Sequence, residues 1–303
     1  MTETRKGLWM IVGACVIWGL ATMFWKALAD VPPLEVLAHR TVWSFAFFVY
    51  VIIAQGRLRE LGALFTQAPI RNRILIAAIM ITVNWGVYIT SIQVGRTVEA
   101  SLGYFIFPLV AVVFGALFFN ERLARLQLIA VAIAAVAVAG LTLWLGVPPL
   151  IALTLATTFG IYGMIKKSLD VGPVLSGTAE VAVLMPIGLL FLLSVHGFGF
   201  GQEAGFTKAA FGGTWRETLL LILAGPLTGL PLIMFSYGAR RVALGTLGLV
   251  QYVNPSLQFL VAVLVFREPL LFGYGVAFAL IWVALGLYSK SSLDQEKALS
   301  KAD

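Results

Sequence analysis

Trp18-Gly19-Leu20-Ala21-Thr22-Met23-Phe24-Trp25-Lys26-Ala27-Leu28 returns later in the chain as Phe159-Gly160-Ile161-Tyr162-Gly163-Met164-Ile165-Lys166-Lys167-Ser168-Leu169, residue on residue without a gap. Further along, the run from Pro108 to Glu121 returns as the run from Pro255 to Glu268, with the same Pro-to-Glu spacing. Self-similarity at a nearly fixed offset is the mark of a duplicated unit. The two offsets differ by a few residues, so an insertion or deletion lies between the anchors.

Each anchor sits inside an apolar stretch about long enough to cross a bilayer. Ten such stretches fill the chain, at 8–28, 34–55, 74–94, 99–119, 123–145, 148–167, 174–195, 218–238, 244–266 and 270–289. The first matches the sixth and the fourth matches the ninth, so each copy holds five. An odd number makes the second copy enter the membrane from the opposite side, which relates the halves by a pseudo-two-fold axis in the membrane plane. The expected fold is an all-α integral membrane protein of ten transmembrane helices in two inverted five-helix repeats, residues 1–146 and 147–303.

Composition agrees. A chain of 303 residues that is 60% hydrophobic and 12% charged has too little polar surface to enclose one water-soluble core. Its mean hydropathy is +0.96. The first stretch follows Arg5 and Lys6 like a signal peptide, but it is too long for an h-region and lacks a small-residue cleavage site, so it reads as a retained helix. Cys15 is the only cysteine, which rules out an internal disulfide or a thiolate metal site. The net charge of +7 does not signal nucleic acid, because the basic residues form no patch. Of 21 Lys and Arg, 15 fall on one side of the spans, while Arg96, Lys208, Arg216 and Arg267 fall on the other and Lys26 and Arg40 lie within spans. That bias places both termini in the cytoplasm and the chain in the cytoplasmic (inner) membrane. No HExxH, nucleophile elbow or Walker motif occurs, so neither enzyme chemistry nor ATP coupling is expected, and no cofactor or metal. The glycine- and phenylalanine-rich link 196–215 reads as a flexible outer loop.

Ionisable side chains inside a bilayer are expensive and mark functional positions. Glu180 lies about two turns into the seventh span, and the repeat carries it onto His39, about two turns into the second. The pair reads either as a site that binds a zwitterion or passes a proton, or as a hydrogen bond pinning two helices. Arg40, one turn before Trp43, either clamps a substrate carboxylate or phosphate, pairs with Glu35 or Glu180, or snorkels outward. Lys26 and Lys167, equivalent by the repeat, are expected to snorkel. Glu121 with Arg122, and Glu268 with Arg267, read as helix-end ion pairs.

Pro108 and Pro255 each remove an N–H within a span and free the carbonyl four residues earlier, at Tyr104 and Gln251, so broken helices are expected at matching places. Gln251, Asn254 and Gln258 follow i, i+3, i+7 spacing, as do Ser101, Tyr104 and Pro108. Such polar faces should line a cavity or else bond neighbouring helices. Asn84, Trp85 and Tyr88 add an amide and aromatic surface in the third span. The expected substrate-binding set is His39, Arg40, Trp43, Asn84, Tyr88, Tyr104, Glu180, Gln251 and Asn254, with Pro108 and Pro255 as helix breaks.

The strings Glu35-Val-Leu-Ala-His39-Arg40-Thr-Val-Trp43-Ser44, Asn84-Trp85, Val98-Glu99-Ala-Ser101-Leu-Gly103-Tyr104-Phe-Ile-Phe107-Pro108 and Gly248-Leu-Val-Gln251-Tyr252-Val-Asn254-Pro255 resemble the drug/metabolite transporter superfamily, specifically EamA-type permeases of the RarD branch. RarD-type strings usually carry Asn where this chain has Phe107. The resemblance covers nearly the whole chain. It implies secondary transport of a small organic metabolite, amino-acid-like compound or drug by alternating access, with export the usual direction. It also implies that the fifth and tenth spans stand outside the cavity and support dimer contacts. The expected partners are a small-molecule substrate, the lipid bilayer and, as a coupling ion, protons; the chain is read as a monomer or homodimer. A proton-coupled importer, a passive facilitator or channel, and a membrane-embedded enzyme or sensor are the other readings.

Overall fold

A computed structural model describes residues 2–119, 124–239, 241–242 and 250–299. Glu121, Arg122, Gly248 and the start of the ninth span lie outside the described residues, as does the Lys167 side chain. Among the described residues the chain is helical without strands. In order, the helices are α1 (Glu3–Lys26), α2 (Pro33–Ala54), α3 (Leu58–Thr66), α4 (Ala68–Gln93), α5 (Thr97–Phe119), α6 (Arg125–Leu145), α7 (Leu150–Lys167), α8 (Pro173–Phe198), α9 (Trp215–Ala239), α10 (Val253–Leu260) and α11 (Phe272–Leu299). Eight of these are long and apolar enough to cross a membrane; Leu150–Lys166 and Val253–Val265 are shorter apolar helices.

Starts and stops follow local chemistry. Pro33, Pro69 and Pro173 open α2, α4 and α8, where the missing N–H has no helical partner to lose. Gly146 and Gly199 close α6 and α8 in the left-handed conformation at φ 73° and 64°. The bundle's outside is apolar: Leu143, Leu190 and Phe198 are exposed, as lipid-facing side chains must be. The exposed aromatics Phe200, Phe206 and Trp215 gather at one end, at the place of an interfacial belt.

Helix α3 was not apparent as a span because it is short and amphipathic. It turns Leu61 and Leu64 inward against Ile52, Ile74 and Ile165, and Arg57 donates to Glu60 at 2.8 Å on its solvent side. That guanidinium holds the Glu60 carboxyl below its usual pKa.

The expected break at Pro108 is absent. Helix α5 runs on from Thr97 to Phe119 through the proline, because neighbouring turns still hold the chain where one bond is missing. Pro255 behaves differently: a turn at Tyr252 interrupts the helix, and the proline sits in the first turn of α10. α10 then widens into a π-helical segment, Val261–Val265, and Arg267 follows at φ 55°. This strained corner aims the Glu268 carboxylate at the backbone N–H of Val98, in the first turn of α5, at 2.9 Å. Glu268 therefore caps a helix instead of pairing with Arg267.

Close helix crossings depend on glycine. A Cβ on Gly225 of α9 would overlap the backbone carbonyl group of Trp43, whereas one on Gly140 of α6 would meet nothing. Gly225→Ala should lower stability by about 1–3 kcal/mol, and Gly140→Ala should not, in thermal unfolding of the detergent-solubilised protein.

Candidate functional site

The interior polar groups fall into three clusters at different depths. The central one surrounds Arg40. Its Nε donates to Thr228 Oγ1 at 2.8 Å, and its guanidinium lies 3.4 Å from the ring centre of Trp85 and 5.4 Å from that of Trp25. Thr228 donates in turn to the Ala224 carbonyl, so its oxygen is free to accept. Tyr88 shares a 3.1 Å hydrogen bond with Thr22 and meets Tyr104 edge-on at 5.5 Å. Tyr104 donates to Asn84 Oδ1 at 2.8 Å, while Asn84 Nδ2 donates to the Leu155 carbonyl and Thr158 Oγ1, each at 2.9 Å. Asn84 is fully enclosed, so it works as a knot joining α4, α5 and α7, with Tyr104 at its edge.

A second cluster is built on the link expected to be a flexible outer loop. That link is folded back onto the bundle. Glu35, at the start of α2, accepts the backbone N–H groups of Lys208, Ala209 and Ala210 at 2.8, 3.2 and 2.6 Å. This seats Phe211 against His39 at 5.1 Å, Trp43 at 5.9 Å and His196 at 6.5 Å. Nearby, Lys208 donates to Glu217 at 2.6 Å, which raises the lysine pKa. Among the described residues, neither nitrogen of His39 has a partner, nor does Trp43 Nε1. Glu35, His39 and His196 each bring a ligand-capable atom within 4.8 Å of the others. The Glu35 carboxylate is already engaged by three N–H groups, so the trio reads first as the clasp of the loop.

The third cluster belongs to Glu180. It accepts from Lys166 Nζ at 2.6 Å and from Tyr162 at 3.0 Å, and Lys166 also donates to Ser176. His39 is not part of it. Gly188 of α8 packs beside Ala38, and Glu180 lies two turns earlier, about 12 Å down the helix. The correspondence drawn from the sequence therefore does not bring the two side chains together.

The remaining expected residues sit along α10. Asn254 accepts from Gln258 Nε2 at 2.9 Å and lies beside Gly19, and Gln251 is half-buried. Ser101 bonds within its own helix, to the Val98 carbonyl. Lys26 does not snorkel: it caps the last carbonyls of α4, Ile92 and Gln93, at 3.2 Å each. Trp25, Thr228, Tyr162, Lys166 and Phe211 were missed. Threonines are unremarkable in apolar helices, and Lys166 was hidden by its neighbour Lys167, the residue that aligns with Lys26. A crevice of about 230 Å³ lined by Leu37, Gly86, Thr90 and Phe206, among others, includes none of the expected site residues.

Comparison with known proteins gives the family. Residues 5–143 match the model of the EamA-like transporter family. The uncharacterized transporter YojE of Bacillus subtilis is 40% identical over 98% of this chain and 97% of its own. The protein RarD of Streptomyces exfoliatus is 40% identical over 96% of this chain and 90% of its own. A solved crystal structure superimposes over 93% of this chain and 95% of its own with a TM-score of 0.58 at 19% identity, a likeness of fold alone. With full-length relatives at this level of identity, the chain belongs to the EamA-like transporters of the drug/metabolite transporter superfamily, as a RarD-like member.

Proposed function

We propose that this chain is a secondary transporter of a small organic molecule in the cytoplasmic membrane, working by alternating access of two inverted five-helix repeats, residues 1–146 and 147–303. The helix packing supports the repeat. If α1, α2, α4, α5 and α6 correspond to α7, α8, α9, α10 and α11, the main contacts between the halves survive their exchange. α1 packs on α9 as α7 packs on α4, α5 on α7 as α10 on α1, and α2 on α9 as α8 on α4. The pairs α2–α8, α5–α10 and α6–α11 are their own counterparts. Two such halves can rock about one shared site.

The observation that carries the reading is Arg40, a buried cation of the first half held by Thr228 of the second, in a cage of Trp25 and Trp85. His39, Trp43 and Phe211 would close this centre from outside. The Tyr162–Lys166–Glu180 cluster would stand at the inner approach, where Glu180 is a candidate for carrying a proton. Tyr88, Tyr104 and Asn84 would shape the wall, and Gln251 and Asn254 the side toward α10. Export is the direction the family suggests, and α6 with α11, packed on each other, would offer the face for a homodimer.

Accessibility tests the cycle. In a Cys15→Ala background, Thr22→Cys should react with an impermeant thiol reagent from either side of the membrane, but with one side protected whenever the other is open. Simultaneous reactivity from both sides would indicate a channel. Topology is checked separately: tags at both termini should be cytoplasmic and a reporter within 197–215 exterior, whereas a C-terminus outside would break the inverted repeat.

A further inference from the structure

We infer that the substrate carries a single carboxylate, which Arg40 binds through its two terminal nitrogens, beside a planar or apolar body that packs on the surrounding aromatic rings. This deepens the transporter reading and rests on it. A guanidinium has five N–H donors and is never neutral in a protein. Here the Nε hydrogen goes to Thr228, and one face is laid on Trp85. The four hydrogens on the two terminal nitrogens meet no acceptor among the described residues, although Arg40 is only 7% exposed.

Among the described residues, the buried carboxylates of the bundle are committed elsewhere. Glu35 holds the outer loop, Glu99 accepts from Arg96, Tyr274 and the Ile151 N–H, Glu180 takes Lys166 and Tyr162, and Glu268 caps α5. Among the described residues, the phenols of Tyr88 and Tyr104 are titratable groups near Arg40. Contact with the Trp85 ring offsets part of the cost of a desolvated cation but does not neutralise it. An anion completes the site, and the planar fork of the guanidinium matches two carboxylate oxygens.

The count of charges chooses between anions. Lys26 is spent on the end of α4 and Lys166 on Glu180, so among the described side chains the centre offers one positive charge. A carboxylate balances it, whereas a phosphate monoester would leave a buried negative charge. Trp25, Trp85, Tyr88 and Tyr104 supply flat apolar faces for the rest of the molecule.

The test uses the full-length protein in lipid nanodiscs and matched probes: benzoate against benzamide, indole-3-acetate against indole-3-acetamide, and phenyl phosphate. Thermal stabilisation and tryptophan fluorescence should report binding of at least one acid, no comparable binding of its amide, and weaker binding of phenyl phosphate. Arg40→Gln should weaken the acid at least about 30-fold, and Arg40→Lys, which keeps the charge but not the fork, should fall between. Amides that bind as well as their acids, an acid response that survives in Arg40→Gln, preferred phenyl phosphate, or no response to any acid would each overturn the inference. Counterflow of a neutral amide through the wild type would leave the transporter reading standing while sinking this one. An acid that binds through Arg40 but is never moved would do the reverse.

Discussion

Glu35→Ala should cost about 3 kcal/mol of stability and free the outer loop to proteases. Three backbone N–H groups depend on this one enclosed carboxylate, and hydrogen bonds to a charged group are each worth about 1.5–3 kcal/mol. The loop can move outward and recover water, so the total falls short of the sum. Glu35→Gln should be milder: its carbonyl keeps two of the donors, but its amide nitrogen confronts the third. Thermal unfolding and limited proteolysis of 199–214 measure both effects. An unchanged melting temperature and an intact loop in Glu35→Ala would mean that the outer closure is held by Phe211 and its ring contacts alone.

Glu180→Leu should be nearly as damaging, because it leaves the Lys166 ammonium without its carboxylate. Breaking a buried ion pair from one side costs about 3–5 kcal/mol, and the effect here belongs at the lower end because the Lys166 side chain is 21% exposed and can reach toward the headgroups. The double substitution Glu180→Leu with Lys166→Met should recover most of the loss, since two apolar side chains bury no charge. If the double variant is no better than the single one, the pair is not the source of the cost. Glu180→Gln then asks about transport. Flux that weakens and loses its pH dependence fits a proton carrier, while normal flux with a normal pH profile assigns Glu180 to helix packing.

The apolar helices were legible in the sequence because length and hydropathy need no tertiary context. The partners of individual side chains were not. His39 and Glu180 align between the two similar runs of sequence, yet that alignment says nothing of which side chains meet, and Glu180 packs with Lys166 and Tyr162 instead. Glu268 seemed to pair with its neighbour Arg267, but the π-helical segment and the positive φ at Arg267 turn the carboxylate toward α5. Glycine and phenylalanine made 196–215 look loose; its order comes from Glu35, far away in sequence, accepting backbone N–H groups that leave no mark in side-chain composition. Arg40 was visible as a candidate from its charge alone. Its lack of a carboxylate partner among the described residues, the feature that gives it meaning, showed only once the acidic side chains around it were placed.

Counterflow in proteoliposomes addresses the central proposal, a single site exposed alternately to each side, most directly. Vesicles holding purified protein and preloaded with the unlabelled acid selected in the binding screen should take up the labelled acid with a transient overshoot and saturable kinetics, and Arg40→Gln should abolish both. Flux that rises linearly with concentration, or an equal overshoot from Arg40→Gln, would contradict a carrier built around Arg40.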